Sequence, residues 1–152
     1  MKNIMFREIE IIGIPKPQAR HRSTSVGGFV RNYDPCYKSK KEFADKVRIK
    51  APKKALKGNI SLSLTFYMPR PKSHWKTKKG RCTQNLKEWA KEHKLCRTKP
   101  DVDNLAKYVM DSCNEILWKD DCLVTRLQVE KLYVEDNDNR PRTLIEFWLV
   151  KD

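Results

Sequence analysis

The sequence predicts an α+β domain in which two main helices pack on one mixed β-sheet, in the order strand, helix, strand, basic arm, helix, strand, strand. Three observations carry that reading. Ile60–Met68 alternates strictly, with Ile60, Leu62, Leu64, Phe66 and Met68 on one face and Ser61, Ser63 and Thr65 on the other, the period of a half-buried strand. Phe43, Val47 and Ala51 recur at four-residue intervals, and Leu105, Val109, Cys113 and Ile116 keep a helical stripe. With 152 residues, 39% of them hydrophobic, the chain is long enough for one core and short for two, so residues 1–152 read as a single domain.

Residues 4–12 are rich in isoleucine and bounded by Gly13 and Pro15, which predicts a first strand. Pro15 and Pro17 cannot donate to a ladder, and Gly27, Gly28 and Pro35 follow, so residues 14–35 read as an exposed basic loop. Its Lys16, Arg20 and Arg22 are candidate phosphate contacts. Ser39-Lys40-Lys41-Glu42 has the capping-box pattern, and a helix over about 38–51 is expected before Pro52.

Residues 70–99 carry Pro71, Gly80 and many lysines and interrupt regular structure as an insertion, within which 86–95 has the makings of a short helix bearing Trp89. A second main helix is expected over about 103–117, ended by Trp118. Residues 123–134 are β-rich, 135–139 form a polar turn, and Ile145, Phe147 and Leu149 share a face of a last strand. The two terminal strands are expected to close as a hairpin.

The balance of 33 Lys+Arg against 19 Asp+Glu, a formal net charge of +14, favours a polyanionic partner, nucleic acid first. A generally basic surface with no dedicated ligand is the lesser alternative, because charge alone speaks only of non-specific binding. The arm holds 11 Lys+Arg against only Glu88 and Glu92; Lys76, Lys78, Lys79, Arg81 and Lys99 are its candidate DNA contacts, with Trp75 or Trp89 placed to stack on unpaired bases. A solvated linker with its tryptophans in the core is the competing reading. His74, Cys82, His93 and Cys96 also fall here, but their spacing is too irregular for a recognised zinc module, and free thiols are expected.

Five cysteines without CxxC spacing, and charged residues interrupting the first 13 positions, point to a reducing, cytoplasmic compartment. No apolar run approaches the roughly 20 residues that span a bilayer, so no membrane partner is expected, nor a small-molecule cofactor.

Asp101-Val102-Asp103-Asn104 is the most informative tetrapeptide. In an extended segment carboxylates two apart point to the same side and can share a hard cation, although helix capping explains one of the two without metal. Asp120-Asp121 lies beyond the same helix, where acidic turns are common; only convergence in the fold would join it to the first pair. Magnesium suits such a set, because it bridges carboxylates to phosphate and activates water for in-line attack. Lys107, one helical turn after Asp103, reads either as an exposed i,i+4 ion-pair partner or as a cation beside the scissile phosphate.

Lys99-Pro100-Asp101-Val102-Asp103-Asn104-Leu105-Ala106-Lys107, then Asp111, then Trp118-Lys119-Asp120-Asp121, resembles the RusA family of Holliday junction resolvases. Pro15-Lys16-Pro17-Gln18-Ala19-Arg20 and Tyr33-Asp34-Pro35 are similar to that family's N-terminal pattern, and within the arm Lys72 to Thr98 looks longer and more basic than in compact relatives. The resemblance implies a RusA-like fold and a homodimeric endodeoxyribonuclease of phage or prophage type in bacteria. It implies paired symmetric nicks in four-way DNA junctions during recombination and repair, with Mg2+ as cofactor and Mn2+ as a substitute. It also implies catalytic and metal-binding roles for Asp101, Asp103 and Asp121 and an active-site role for Lys107. A non-catalytic junction-binding protein retaining the fold is the alternative, and an enzyme acting on RNA or a small phosphorylated substrate is a third reading.

Overall fold

In the computed structural model, which describes residues 6–151, four strands form the main sheet: β1 (Arg7–Ile12), β4 (Ile60–Met68), β7 (Val124–Tyr133) and β8 (Arg142–Leu149). Their spatial order is β1-β8-β4-β7. β8 runs antiparallel to both β1 and β4, while β4 and β7 are parallel. Ile4 and Met5, read as the start of the first strand, lie outside the described residues. The architecture is the expected α+β one.

Two main helices, α1 (Tyr37–Lys50) and α3 (Val102–Ser112), pack against each other, α1 over β1 and α3 over β7. Phe43 of α1 meets Tyr108 of α3 edge to face, with ring centroids 5.7 Å apart. Beneath them Val47, Leu105 and Val109 bury against Ile9, Leu62, Leu64, Phe66, Ile145 and Phe147. On β4 the apolar set is buried, but so are Ser61 and Thr65 on the other face.

Several expectations need correcting. The last two strands do not form a hairpin: β4 lies between β8 and β7, since alternation reports which face is buried and not which strand is next door. The basic loop contains a hairpin, β2 (Arg22–Val26) with β3 (Phe29–Tyr33). Gly27 and Gly28 take φ of 60° and 83°, the two positive values that a tight two-residue turn requires.

The capping box does not cap, for α1 starts at Tyr37 after Cys36, and the Ser39 hydroxyl donates to the Cys36 carbonyl from inside the first turn. α3 stops at Ser112 rather than 117; Glu115 takes a positive φ of 64°, which no helix continues through.

The arm is ordered. A one-turn 3-10 segment, Lys72–His74, leads to β5 (Trp75–Lys78), paired with β6 (Arg81–Leu86), and to the short helix α2 (Glu88–Glu92). Arg70 fastens it to the sheet: its guanidinium is buried, donating to the carbonyls of Val134 at 2.5 Å, Ala90 at 2.7 Å and His93 at 3.0 Å, and lies over the Tyr133 ring. Neither tryptophan is in the core. Trp75 is half-buried, and Trp89 is exposed and rests its ring on His74 and His93. No helix among the described residues is long and apolar enough to cross a membrane.

Candidate active site

Asp101 occupies the N-cap position of α3, with extended dihedrals, yet its side chain makes no capping bond. Capping therefore does not account for its carboxylate. Among the described residues neither the Asp101 nor the Asp103 carboxylate has a hydrogen-bond or ion-pair partner, and both residues are exposed.

The backbone around them is held from two sides. Lys131 of β7 donates its ammonium to the carbonyls of Thr98 and Pro100, both at 2.6 Å, and the Cys96 N–H donates to the Lys131 carbonyl at 2.9 Å. From the other side the Gln18 N–H donates to the Asn104 carbonyl at 2.9 Å. A charged donor to backbone carbonyls is among the stronger neutral-acceptor bonds, so the start of α3 is fixed before any ligand arrives.

The turn carrying Asp120 and Asp121 is positioned by Trp118. This side chain is fully buried, donates from Nε1 to the Asn114 amide oxygen at 3.1 Å and packs its ring edge on Phe147. The Leu56 N–H donates to the Leu117 carbonyl and the Lys119 N–H to the Leu56 carbonyl, so the chain on both sides of Trp118 is pinned. Asp121 then opens a 3-10 turn, Asp121–Leu123, that runs into β7.

These two supports converge on one cleft between α3 and β7. Asp103, Lys107, Asp111 and Asp121 surround a cavity of about 440 Å³ floored by Ala106, Met110 and Val129. Asp101 lines the adjoining cavity together with Asp103, Glu130 and Lys131, so Asp103 borders both. Of the sequence-predicted site residues, Asp103, Lys107 and Asp121 thus share a cleft, and Asp101 sits at its continuation.

The electrostatics are uneven. Burial, reinforced by Asp120 and by Asp111, raises the Asp121 carboxyl above the usual aspartate range, while Lys107 pulls it the other way. The hydrogen bond from Asp121 holds its neighbour Asp120 below that range, so of the two Asp120 is the more readily ionised. Lys107 pairs with Asp111 at 3.6 Å and not with Asp103; at this exposed i,i+4 spacing the pair contributes about 0.3 kcal/mol. Asp111 also faces Lys40 at 3.5 Å, and Lys40 in turn pairs with Asp34 at 2.5 Å.

Asp111, Lys40, Glu130 and Lys131 were not among the residues singled out from sequence for roles in the site. Asp111 had a signal, four residues after Lys107 on the same helix face; the others come from elements whose proximity only the fold reveals. The candidate DNA contacts Lys16, Arg20, Arg22, Lys76, Lys78, Lys79, Arg81 and Lys99 are all exposed. Lys78, Lys79 and Arg81 surround the tip of the β5–β6 hairpin, whereas Lys76 is engaged by Glu88 at 3.2 Å.

His74, Cys82, His93 and Cys96 are not gathered at one point: His74 faces Arg70, Cys96 faces Thr98, and Cys82 is exposed. Among the described residues no three His, Cys, Asp or Glu side chains stand close enough to enclose a metal ion.

A family model described as Endodeoxyribonuclease RusA matches residues 13–147. The chain belongs to the RusA family. The matched span runs through the arm, α3, the Asp120–Asp121 turn and nearly all of β8, so both walls of the cleft lie inside it. This RusA-family chain is also similar to the uncharacterized protein YqaN of Bacillus subtilis (strain 168), at 36% identity over 132 residues, which is 83% of this chain and 87% of that protein. Membership places the chain among endodeoxyribonucleases.

Proposed function

We propose that this RusA-family chain resolves four-way DNA junctions by magnesium-dependent phosphodiester hydrolysis, with Asp101, Asp103 and Asp121 as metal ligands and Lys107 beside the scissile phosphate. The observation that carries the reading is the shared cleft, in which Asp103 and Lys107 from α3 meet Asp121 from a turn nearly 20 residues further along the chain. The donors fit a hard cation: all are carboxylate oxygens, the Asp101 and Asp103 carboxylates are unengaged, and Asp121 is held against its charged form by burial and by neighbouring acids. Since no three of them stand at enclosing distances beforehand, binding is accompanied by side-chain closure.

When bound, a divalent ion would neutralise the repulsion between carboxylates and a DNA phosphate and activate water. The chain's own residues do the rest. Lys131 fixes the backbone ahead of Asp101, Asp111 holds the Lys107 ammonium over the cleft, and that ammonium stabilises negative charge on the phosphate as the bond breaks. The positive field of the remaining surface recruits DNA. Two copies of the chain, each with one cleft, account for paired nicks, and Mn2+ replaces Mg2+ as an oxygen-preferring ion of similar size.

The decisive experiment is incubation with a labelled four-way junction and magnesium across a range of pH and salt. Nicking at symmetric positions is expected, with a dimeric mass in solution. Binding without any nicking would reduce the protein to a junction-binding module, and nicking of RNA in preference to junction would reassign the substrate.

A further inference from the structure

The β2–β3 ribbon is the least integrated element of the fold. All ten of its strand residues are exposed, and an isolated two-stranded ribbon is at best marginally stable in water. Its surface is nonetheless unlike a solvated turn: Val26, Phe29 and Val30 at the tip are 65%, 79% and 72% exposed.

The register sorts its side chains. Val26 pairs with Phe29, Thr24 with Arg31, and Arg22 with Tyr33, and directly opposed residues of an antiparallel pair share a face. One face therefore carries Phe29 and Val26 at the tip, Arg31 midway, and Arg22 with Tyr33 at the base. The other carries Ser23, Ser25, Val30 and Asn32. Residues 11–33 contain Lys16, Arg20, Arg22 and Arg31 and not one Asp or Glu.

The base of the ribbon is tied to the cleft. The Gln18 N–H donates to the Asn104 carbonyl, one residue past Asp103, and the Gln18 amide donates to Asp34 at the other end of the ribbon. Asp34 also accepts from Lys40, which faces Asp111 on the cleft wall. Both ends of the ribbon are thus anchored beside α3, and its tip is exposed.

We propose that the β2–β3 ribbon is a branch-point probe, its arginines tracking phosphates and Phe29 stacking on a base left unpaired at the crossover of a DNA junction bound in the cleft. This rests on the reading of branched DNA as the substrate. Charge complementarity selects the occupant: a row of cations without acids suits a polyanion, and a second copy of the same ribbon would set arginine against arginine. A two-stranded ribbon fits a DNA groove, and an aromatic ring stacks on any base regardless of sequence.

The test compares wild type, Phe29→Ala and Phe29→Trp for binding to a four-way junction and to a duplex of equal length, without divalent metal. A 2-aminopurine at the crossover reports base unstacking. Phe29→Ala is expected to weaken junction binding about tenfold, to leave duplex binding and the melting temperature unchanged, and to lose the fluorescence rise; Phe29→Trp restores both. A selective wild type whose selectivity survives Phe29→Ala would overturn this inference alone, whereas a wild type without junction preference would overturn the junction reading as well. A fall in solution mass for Phe29→Ala would assign the tip to self-association and also overturn it.

Discussion

The ammonium of Lys131 on β7 donates to the carbonyl oxygen of Pro100 at 2.6 Å, immediately before Asp101, and to that of Thr98 at the same distance. An edge strand of the sheet thereby sets the backbone from which the first candidate ligand projects. Lys131→Met removes both bonds. It is expected to cost about 2 kcal/mol of stability and to lower single-turnover cleavage roughly tenfold or more through misplacement of Asp101, with junction binding retained. Unchanged cleavage in a folded Lys131→Met protein would show that Asp101 needs no such support.

Asp103 borders both cavities of the cleft and makes no contact that its carboxylate would be needed to preserve. Asp103→Asn is expected to reduce nicking by at least about a hundredfold, through loss of metal affinity. Gel-shift binding in the absence of metal should be equal to or tighter than wild type, because a negative charge has been removed from a DNA-facing surface. Weakened binding together with a lowered melting temperature would instead make Asp103 a structural residue.

The raised Asp121 carboxyl gives stability a pH signature. A carboxyl whose folded value lies above its unfolded one contributes fully below the ordinary aspartate range, about 3.9, and loses that contribution as pH rises through the folded value. At pH 7 without metal the charged form is therefore a burden, which Asp121→Asn lifts. The variant is expected to melt about 1–2 °C above wild type at pH 7 in chelator, with the gap closing near pH 4. Added magnesium should stabilise wild type alone. A variant that melts lower at pH 7 would contradict the charge crowding around Asp121.

Arg70 is the pin of the arm. Arg70→Met strands the carbonyls of Val134, Ala90 and His93 and is expected to cost about 3 kcal/mol in denaturant titration. Trypsin should then cut first around Lys78 and Lys79, at the tip of the freed β5–β6 hairpin. Simultaneous loss of the whole molecule's protection would mean that arm and sheet unfold as one unit.

How much was legible follows from which residues carry local information. The alternation along Ile60–Met68 and the stripe Leu105–Val109 are periodicities, and periodicity is a property of a segment. The Asp101–Asp103 pair was readable for the same reason. Asp121 was visible only as one of two acids in a turn and rested chiefly on family resemblance, since its place beside Asp103 depends on Trp118 burying the turn and on β7 lying parallel to β4.

That parallel pairing was missed, as adjacency of strands is a long-range property; two alternating segments around a polar turn look identical whether or not a third strand separates them. The β2–β3 ribbon was missed for another reason. Its ladder is exposed on both faces, so it has no buried period to betray it, and Gly27-Gly28 was read as loop chemistry rather than as a two-residue turn. Lys131 and Glu130 had no local signature at all.

The sheet order β1-β8-β4-β7 also has a kinetic consequence. None of its three pairings joins neighbours in the chain: β1 waits for β8, β8 lies against β4, and 55 residues separate Met68 from Val124. Among the described residues only the β2–β3 and β5–β6 ribbons are local, and they can close within about 1–10 μs while contributing little to the core. The sheet itself must form late, on the scale of milliseconds to seconds typical of non-local β topologies, because its second row is the last strand to be synthesised. Until β8 slots between β1 and β4, both of those strands present open edges, and the nascent chain spends that interval most exposed to mispairing.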